Sequence, residues 1–370
     1  MTTVPHRAGR ARLAYFDFWI DPVAPALLRE EPAIDLVELR YDATAASNWE
    51  AMRRTHGYQI APRGELQAPW FADQALLDRC PDLLAISSTG SGYDVIDVEA
   101  CTRAGVLVCN QAGGNRRAVA EHALGMMISL SKRIALADRA LRHRPVMRFE
   151  IAGNDVGGKT VGIVGLGHIG SHLARLCAAL DMTVIACDPY LDEATMTARG
   201  AAKVSFGELL DRSDFVSVHC PRNDETLDMF SRDEFARMKR TAYFVNTARG
   251  GIHDEPALAA ALRDGVIAGA GLDVFLVEPP PADHPLLAFE NVIATPHTAG
   301  VTAESLYNLA RAAATQWIDL FAGRVPPRLV NPQAWPRYAK RFEGAFGFAP
   351  APCDPAPANP RPRPSAPWTG

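Results

Sequence analysis

Three polar residues in the second half of the chain stand at or just after apolar, strand-like runs: Arg249, Glu278 and His297. A guanidinium can hold a planar carboxylate through two parallel hydrogen bonds and polarise a carbonyl beside it. An imidazole backed by a carboxylate can give or take a proton near neutral pH. Singly, each residue has an ordinary explanation: a surface ion pair for Arg249, a loop position before Pro279, Pro280 and Pro281 for Glu278, a satisfied histidine for His297. Their shared position, on loops at the C-terminal edge of a sheet, is what points to chemistry, because open α/β sheets bind ligands there.

A second constellation supplies a partner for that chemistry. Residues 160–190 read as strand, glycine turn, helix, strand, with Gly165, Gly167 and Gly170 at G-x-G-x-x-G spacing and Asp188 closing the second strand. The three glycines serve different ends. Gly165 makes a tight turn, Gly167 lets a pyrophosphate approach the backbone, and Gly170 lets helix and strand touch. The helix start offers free N–H groups to phosphate. Asp188 is placed to accept hydrogen bonds from an adenosine ribose, and a carboxylate there repels a 2′-phosphate. Pro189, Tyr190 and Leu191 bring no cation to offset this, so NAD is favoured over NADP. Just upstream, residues 153–160 (GNDVGGKT) match the P-loop expression, but Lys159 and Thr160 open a β-branched strand where a P-loop requires a helix, which makes the match a coincidence.

The elements needed to position these groups follow from the apolar pattern. Strand-like runs LAYFDFWI, DLVELRY, YQIA, LLAISSTG and VLVCN precede residue 111. FVSVHC, AYFVNTAR, VIAGAGLDVF and NVIATPH follow the glycine turn. Strands alternating with helical stretches imply α/β architecture with parallel, doubly wound sheets. Asp254 is a good helix N-cap, with Pro256 in the first turn and Gly265 past the end. Residues 117–144 carry Val119, Ala123, Met126, Met127, Leu130, Ile134 and Leu141 at helical spacing, which predicts one long helix able to link two domains. Residues 301–323 form a further amphipathic helix. From residue 347 the chain alternates proline with small residues, and a solvated tail without a packed core is expected over 347–370.

Composition sets the bounds. The 370 residues suffice for two domains, and 48% hydrophobic with 22% charged residues is ordinary for a globular protein. A formal charge of −4 argues against a nucleic-acid partner. No apolar run reaches membrane-spanning length and no signal-peptide pattern opens the chain. The 7 cysteines are scattered, which suits reduced thiols and a cytoplasmic location. No metal cluster is visible. His168 and His172 lie four apart on one helix without a third ligand.

The stretches GSGYDVIDVEA, NQAGGNRRAVAEHALGMM, GKTVGIVGLGHIG, VHCPRNDET, FVNTARGG, GLDVFLVEPP and ATPHTAG together resemble the D-isomer-specific 2-hydroxyacid dehydrogenases. That resemblance implies two Rossmann-like domains, with the NAD-binding domain (116–300) inserted into a substrate domain (1–115 plus 301–346) and the active site in the cleft. It implies that Arg249 binds substrate carboxylate and carbonyl, and that His297 exchanges the proton while Glu278 fixes its tautomer and favours its charged form. Gly165, Gly167, His168, Ile169, Gly170, Asp188, His219, Pro221, Thr226, Thr247, Asp273, His297 and Gly300 would contact the coenzyme, Asp273 through the nicotinamide carboxamide. Ser91, Gly92 and Asn115 would join Arg249 and His297 at the substrate. Most relatives carry arginine where this chain has His168, so the resemblance implies the backbone contacts to pyrophosphate there but not the arginine side-chain contact.

The implied reaction is reversible hydride transfer between NADH and a small 2-oxo acid, in the manner of glyoxylate or hydroxypyruvate reductases or of phosphoglycerate dehydrogenase. Formate dehydrogenases carry glutamine where Glu278 stands. A homodimer is expected. An alternative of another class is an NADH-responsive scaffold like the C-terminal binding protein corepressors, which share the fold and the same three residues. The segment 55–70 departs most from relatives, and Arg63 within it is expected to reach the substrate.

Overall fold

The computed structural model describes residues 9–353 except 18 and 62–63. Arg63 and the tail from 354 onward therefore lie outside the described residues. The chain divides into two compact units, one built from residues up to Asn115 together with those from Thr302 onward, the other from Arg116–Val301.

The first unit carries a five-stranded sheet of β1 (Ala11–Phe16), β2 (Ile34–Leu39), β3 (Gly57–Ile60), β4 (Ala85–Ser88) and β5 (Leu107–Cys109), in the order β2-β1-β3-β4-β5. Every pairing is parallel, and β3, β4 and β5 are buried throughout, which is why those runs read as continuously apolar. The helix Ala303–Phe321 packs here through Trp317, whose indole N–H donates to Gln59 Oε1 at 2.8 Å. Trp335–Phe346 adds Tyr338, Phe342 and Phe346 to the same core. The segment from 347, expected to be unpacked, is packed over its described residues. Phe348 lies edge-on to Phe342 with centroids 5.1 Å apart, and Ala351 N–H donates to Gly323 O at 2.7 Å.

The second unit holds seven parallel strands: β6 (Thr160–Val164), β7 (Thr183–Cys187), β8 (Ala202–Lys203), β9 (Phe215–Val218), β10 (Tyr243–Asn246), β11 (Gly269–Leu272) and β12 (Val292–Ala294). Their order is β12-β11-β10-β9-β6-β7-β8, so the direction of winding reverses beside β6. Open sheets take their ligands at such a point. The helix Glu255–Arg263 is capped as its sequence foretold, with Asp254 accepting the Ala257 N–H at 2.9 Å and Gly265 at φ +63 beyond its end.

The long helix expected over 117–144 is two helices, Arg116–Ser131 and Ile134–His143. Ser131 O accepts the Asn154 N–H at 2.7 Å and Ser131 Oγ donates to Asn154 O at 3.0 Å, which takes a terminal carbonyl away from helix propagation. Arg133 turns left-handed at φ +55 to start the second helix. Met126, Met127 and Leu130 are core, whereas Ile134 and Leu141 are exposed and the second helix buries nothing. The periodicity ran through the break because the break is made by a distant segment. Among the described residues no helix is long and apolar enough to cross a membrane.

Candidate active site

The glycine turn leaves β6 with Gly165 at φ +90, where a Cβ would sit 2.7 Å from Cys220 N. A Cβ on Gly170 would meet Gly165 O at 2.2 Å, so only glycine lets the helix His168–Ala178 lie this close to the strand. Gly167 is different, because nothing stands within 4 Å of its would-be Cβ. Open space before a helix start with unpaired N–H groups suits a pyrophosphate, and the turn fits the group the sequence implied. His168 is exposed on the first helical position, while Ile169 packs partly into the core.

Asp188 stands directly after β7 and ties the turn to that strand. One carboxylate oxygen accepts the Leu166 N–H at 3.0 Å and the other the Tyr190 N–H at 3.0 Å. The three residues after Asp188 offer no cation, but the fold brings two toward the turn and the segment behind it. Arg199 Nη1 donates to Leu166 O at 2.6 Å, and Lys203 Nζ donates to Leu191 O at 2.6 Å. On the neighbouring strand ends, burial pushes the His219 imidazole down to about 3, and its Nδ1 is a buried atom with no hydrogen-bond partner. The Thr247 hydroxyl is likewise buried and unpartnered.

Arg249 sits on the turn after β10. Asn246, fully buried, braces that turn: its Oδ1 accepts the Ala248 N–H at 2.9 Å and its Nδ2 donates to Arg249 O at 3.0 Å. Asn246 Nδ2 also lies 3.0 Å from His253 Nδ1. Burial pushes His253 down to about 4, so the ring is neutral at neutral pH and accepts through Nδ1.

Glu278 and His297 meet directly. His297 Nδ1 lies 2.8 Å from Glu278 Oε2, while Glu278 Oε1 accepts the Phe275 N–H at 3.0 Å. Burial alone would raise the Glu278 carboxyl, but the His297 hydrogen bond and charge, the Phe275 N–H and the Arg249 charge outweigh it and hold the group below its ordinary value. The carboxylate therefore accepts from Nδ1–H, which leaves Nε2 as the other ring nitrogen of a side chain that is 42% exposed. His297 has φ +56, a conformation that costs a non-glycine residue about 1 kcal/mol and is held by its surroundings.

Asp273, 1% exposed, supplies that hold. Its Oδ1 accepts Thr295 Oγ1–H at 2.6 Å and Thr298 N–H at 2.8 Å, its Oδ2 accepts Ala299 N–H at 2.9 Å, and its own carbonyl accepts the His297 N–H at 2.8 Å. Thr226 is spent in the same way. Its hydroxyl donates to Pro221 O at 2.7 Å and accepts the Asn223 N–H at 2.9 Å, closing the loop on which Pro221 is exposed. Both side chains, expected to face a coenzyme, have their visible partners within the loops they support. Gly300 follows the Asp273-braced segment.

Ser91, Gly92 and Asn115 belong to the first unit, where Ser91 Oγ donates to Asn115 Oδ1 at 3.1 Å and Gly92 O accepts from the Ser88 hydroxyl. The described residues contain no group of three or more His, Cys, Asp or Glu able to hold a metal, and His172 Nδ1 already faces Arg175 Nη2 at 2.9 Å.

Comparison with known proteins fits this arrangement. Residues 124–299 match the model described as D-isomer specific 2-hydroxyacid dehydrogenase, NAD binding domain. The chain is 39% identical over 266 residues to a glyoxylate reductase of Korarchaeum cryptofilum, covering 70% of this chain and 79% of that protein. The chain belongs to the D-isomer specific 2-hydroxyacid dehydrogenase family. It is also 36% identical over 289 residues to a D-3-phosphoglycerate dehydrogenase of Archaeoglobus fulgidus, covering 78% of this chain and 54% of that protein. The chain thus spans about half the length of that relative. Among solved structures, a glyoxylate reductase from Paecilomyes thermophila superposes with a TM-score of 0.78 at 27% identity, covering 88% of this chain and 99% of that one. A D-lactate dehydrogenase from Aquifex aeolicus, complexed with NAD and lactic acid, gives 0.74 at 26% identity, covering 86% and 99%.

Within this 2-hydroxyacid dehydrogenase fold, the residues that sequence reasoning missed are supports: Asn246, His253, Arg199 and His122. Asn246 stood in the FVNTARGG stretch and could have been found as the polar residue ending an apolar strand. Nothing in the sequence links His122 or Arg199 to the turns they touch.

Proposed function

We propose that this protein is an NAD-dependent oxidoreductase that interconverts a small 2-oxo acid and its D-2-hydroxy acid, with Arg116–Val301 as its coenzyme-binding unit. The observation that carries this reading is the 2.8 Å His297–Glu278 contact, set beside Arg249 at neighbouring strand ends of the sheet that bears the glycine turn. Family membership and the NAD complex of the Aquifex aeolicus lactate dehydrogenase support it.

A bound NADH would supply the hydride. Gly165, Gly167, Gly170 and the start of the helix His168–Ala178 would hold its pyrophosphate, and Asp188 would meet the adenosine ribose and disfavour a 2′-phosphate. Arg249 grips the substrate carboxylate and turns the adjacent carbonyl toward its own positive charge. His297 gives the proton from Nε2 to the carbonyl oxygen as charge develops there. Glu278 keeps Nδ1–H engaged, so the ring is oriented and its positive form is balanced. In the reverse direction the same nitrogen accepts the hydroxyl proton.

A second copy of the chain is the proposed partner. Ile134, Leu141, Met147 and Phe149 are all exposed, which is unusual for four large apolar side chains so close in sequence. The deciding experiment is NADH oxidation with glyoxylate, hydroxypyruvate, pyruvate and bulkier 2-oxo acids. Turnover with at least one is expected. NADH binding without turnover of any of them would overturn the enzymatic reading in favour of a coenzyme-sensing scaffold.

A further inference from the structure

His122 lies on the helix Arg116–Ser131, 173 residues from the loop it touches. Its Nε2 is 3.1 Å from Thr295 Oγ1 and 3.9 Å from Asp273 Oδ1. The Thr295 hydroxyl has one proton, and the 2.6 Å contact to Asp273 Oδ1 takes it. Thr295 can then only accept from His122, so the imidazole carries its proton on Nε2. The line His122, Thr295, Asp273 continues into the Thr298 and Ala299 N–H groups and, through the Asp273 carbonyl, into the His297 N–H. All of it lies within one unit, and it ends on the one backbone position of the loop that is left-handed without being glycine.

We infer that His122 is a positioning residue for the proposed proton transfer: as an Nε2–H donor it locks Thr295 and Asp273 so that the strained His297 loop presents its imidazole in one orientation. This rests on the proposed dehydrogenase reading. Helix, relay and loop act as one brace, in which His122 acts through Thr295 and Asp273.

The test uses the full chain with four variants. His122→Gln places an amide N–H near the Nε2 position, His122→Asn places it near Nδ1, and His122→Leu removes it. Thr295→Val breaks the relay at its centre. Expected are kcat losses of about ten- to a hundredfold for His122→Leu, His122→Asn and Thr295→Val, with KM and NADH affinity within about twofold of wild type. His122→Gln should keep kcat within about threefold, and His122→Leu with Thr295→Val should be no worse than either alone. Equal damage from Gln and Leu, or additive losses in the double variant, overturns the inference. Imidazole 15N resonances are recorded alongside. An Nε2–H tautomer at His122 and displaced His297 signals in His122→Leu are expected, and an Nδ1–H tautomer or undisturbed His297 signals overturn the inference. That readout needs no turnover, so a wild-type protein inactive on every 2-oxo acid would sink the dehydrogenase reading while leaving the relay decided on its own evidence.

Discussion

Gly250 lies so close to Phe275 that a Cβ on it would fall 1.9 Å from the Phe275 carbonyl oxygen. The turn that carries Arg249 is thereby seated against the loop that carries Glu278. Gly250→Ala must push the two apart, and backbone cannot yield as a flexible side-chain tip would. The expected outcome is a stability loss of about 1–3 kcal/mol in urea unfolding and at least tenfold lower kcat/KM. Unchanged kinetics would show that the two turns do not act together.

His297→Asn is the sharpest probe of proton transfer, because asparagine tolerates the left-handed backbone and can still donate to Glu278 from near the Nδ1 position. The variant should lose about a hundred- to ten-thousandfold in kcat for 2-oxo acid reduction while still binding NADH. A kcat within a few fold of wild type would exclude His297 as the donor.

Asp188→Ala removes a carboxylate that would oppose a 2′-phosphate and leaves the Arg199 guanidinium, bound to Leu166 O, close to the same turn. The ratio of kcat/KM with NADPH to that with NADH should rise at least tenfold. Two backbone N–H groups, of Leu166 and Tyr190, also lose their acceptor, so NADH binding should weaken and thermal stability should fall. A ratio that does not move would assign coenzyme choice to other residues.

His253 predicts an acid-side loss of stability. Its ordinary value is 6.5 and burial lowers it to about 4 in the folded protein. Between those values the unfolded chain binds a proton that the folded chain refuses, so stability is full above 6.5 and declines as pH falls toward 4, by an amount on the order of 3 kcal/mol. His253→Asn keeps an acceptor for Asn246 near the Nδ1 position and cannot titrate. Denaturant midpoints measured across that window should vary less steeply for the variant, with His219 accounting for part of the slope that remains. Parallel curves would remove His253 from the acid response.

The glycine turn and the strand ends that carry Asp188, Arg249, Glu278 and His297 were legible because each depends on short-range pattern: a strand, its end, and the residue type placed there. The sheets were legible for the same reason, since parallel strands buried on both faces are unbroken apolar runs. The helix break at Arg133 was not, because Asn154 makes it from outside the helix. Nor could the sequence distinguish an Asp273 that faces a ligand from one enclosed by residues 295–299, since that depends on how a loop folds back over its own strand. His122 reaches Thr295 only through tertiary packing, and no local spacing encodes it.

The reversal of winding beside β6 has a bearing on how such a protein can change. Under the proposed reading the edge from β6 to β8 would serve the nucleotide, while from β10 to β12 it bears the guanidinium, the carboxylate and the imidazole, with β9 as the border. Mutations that retune which coenzyme is accepted thus fall on different strands from those that retune reactivity. Either trait can drift or be engineered while the other is inherited intact.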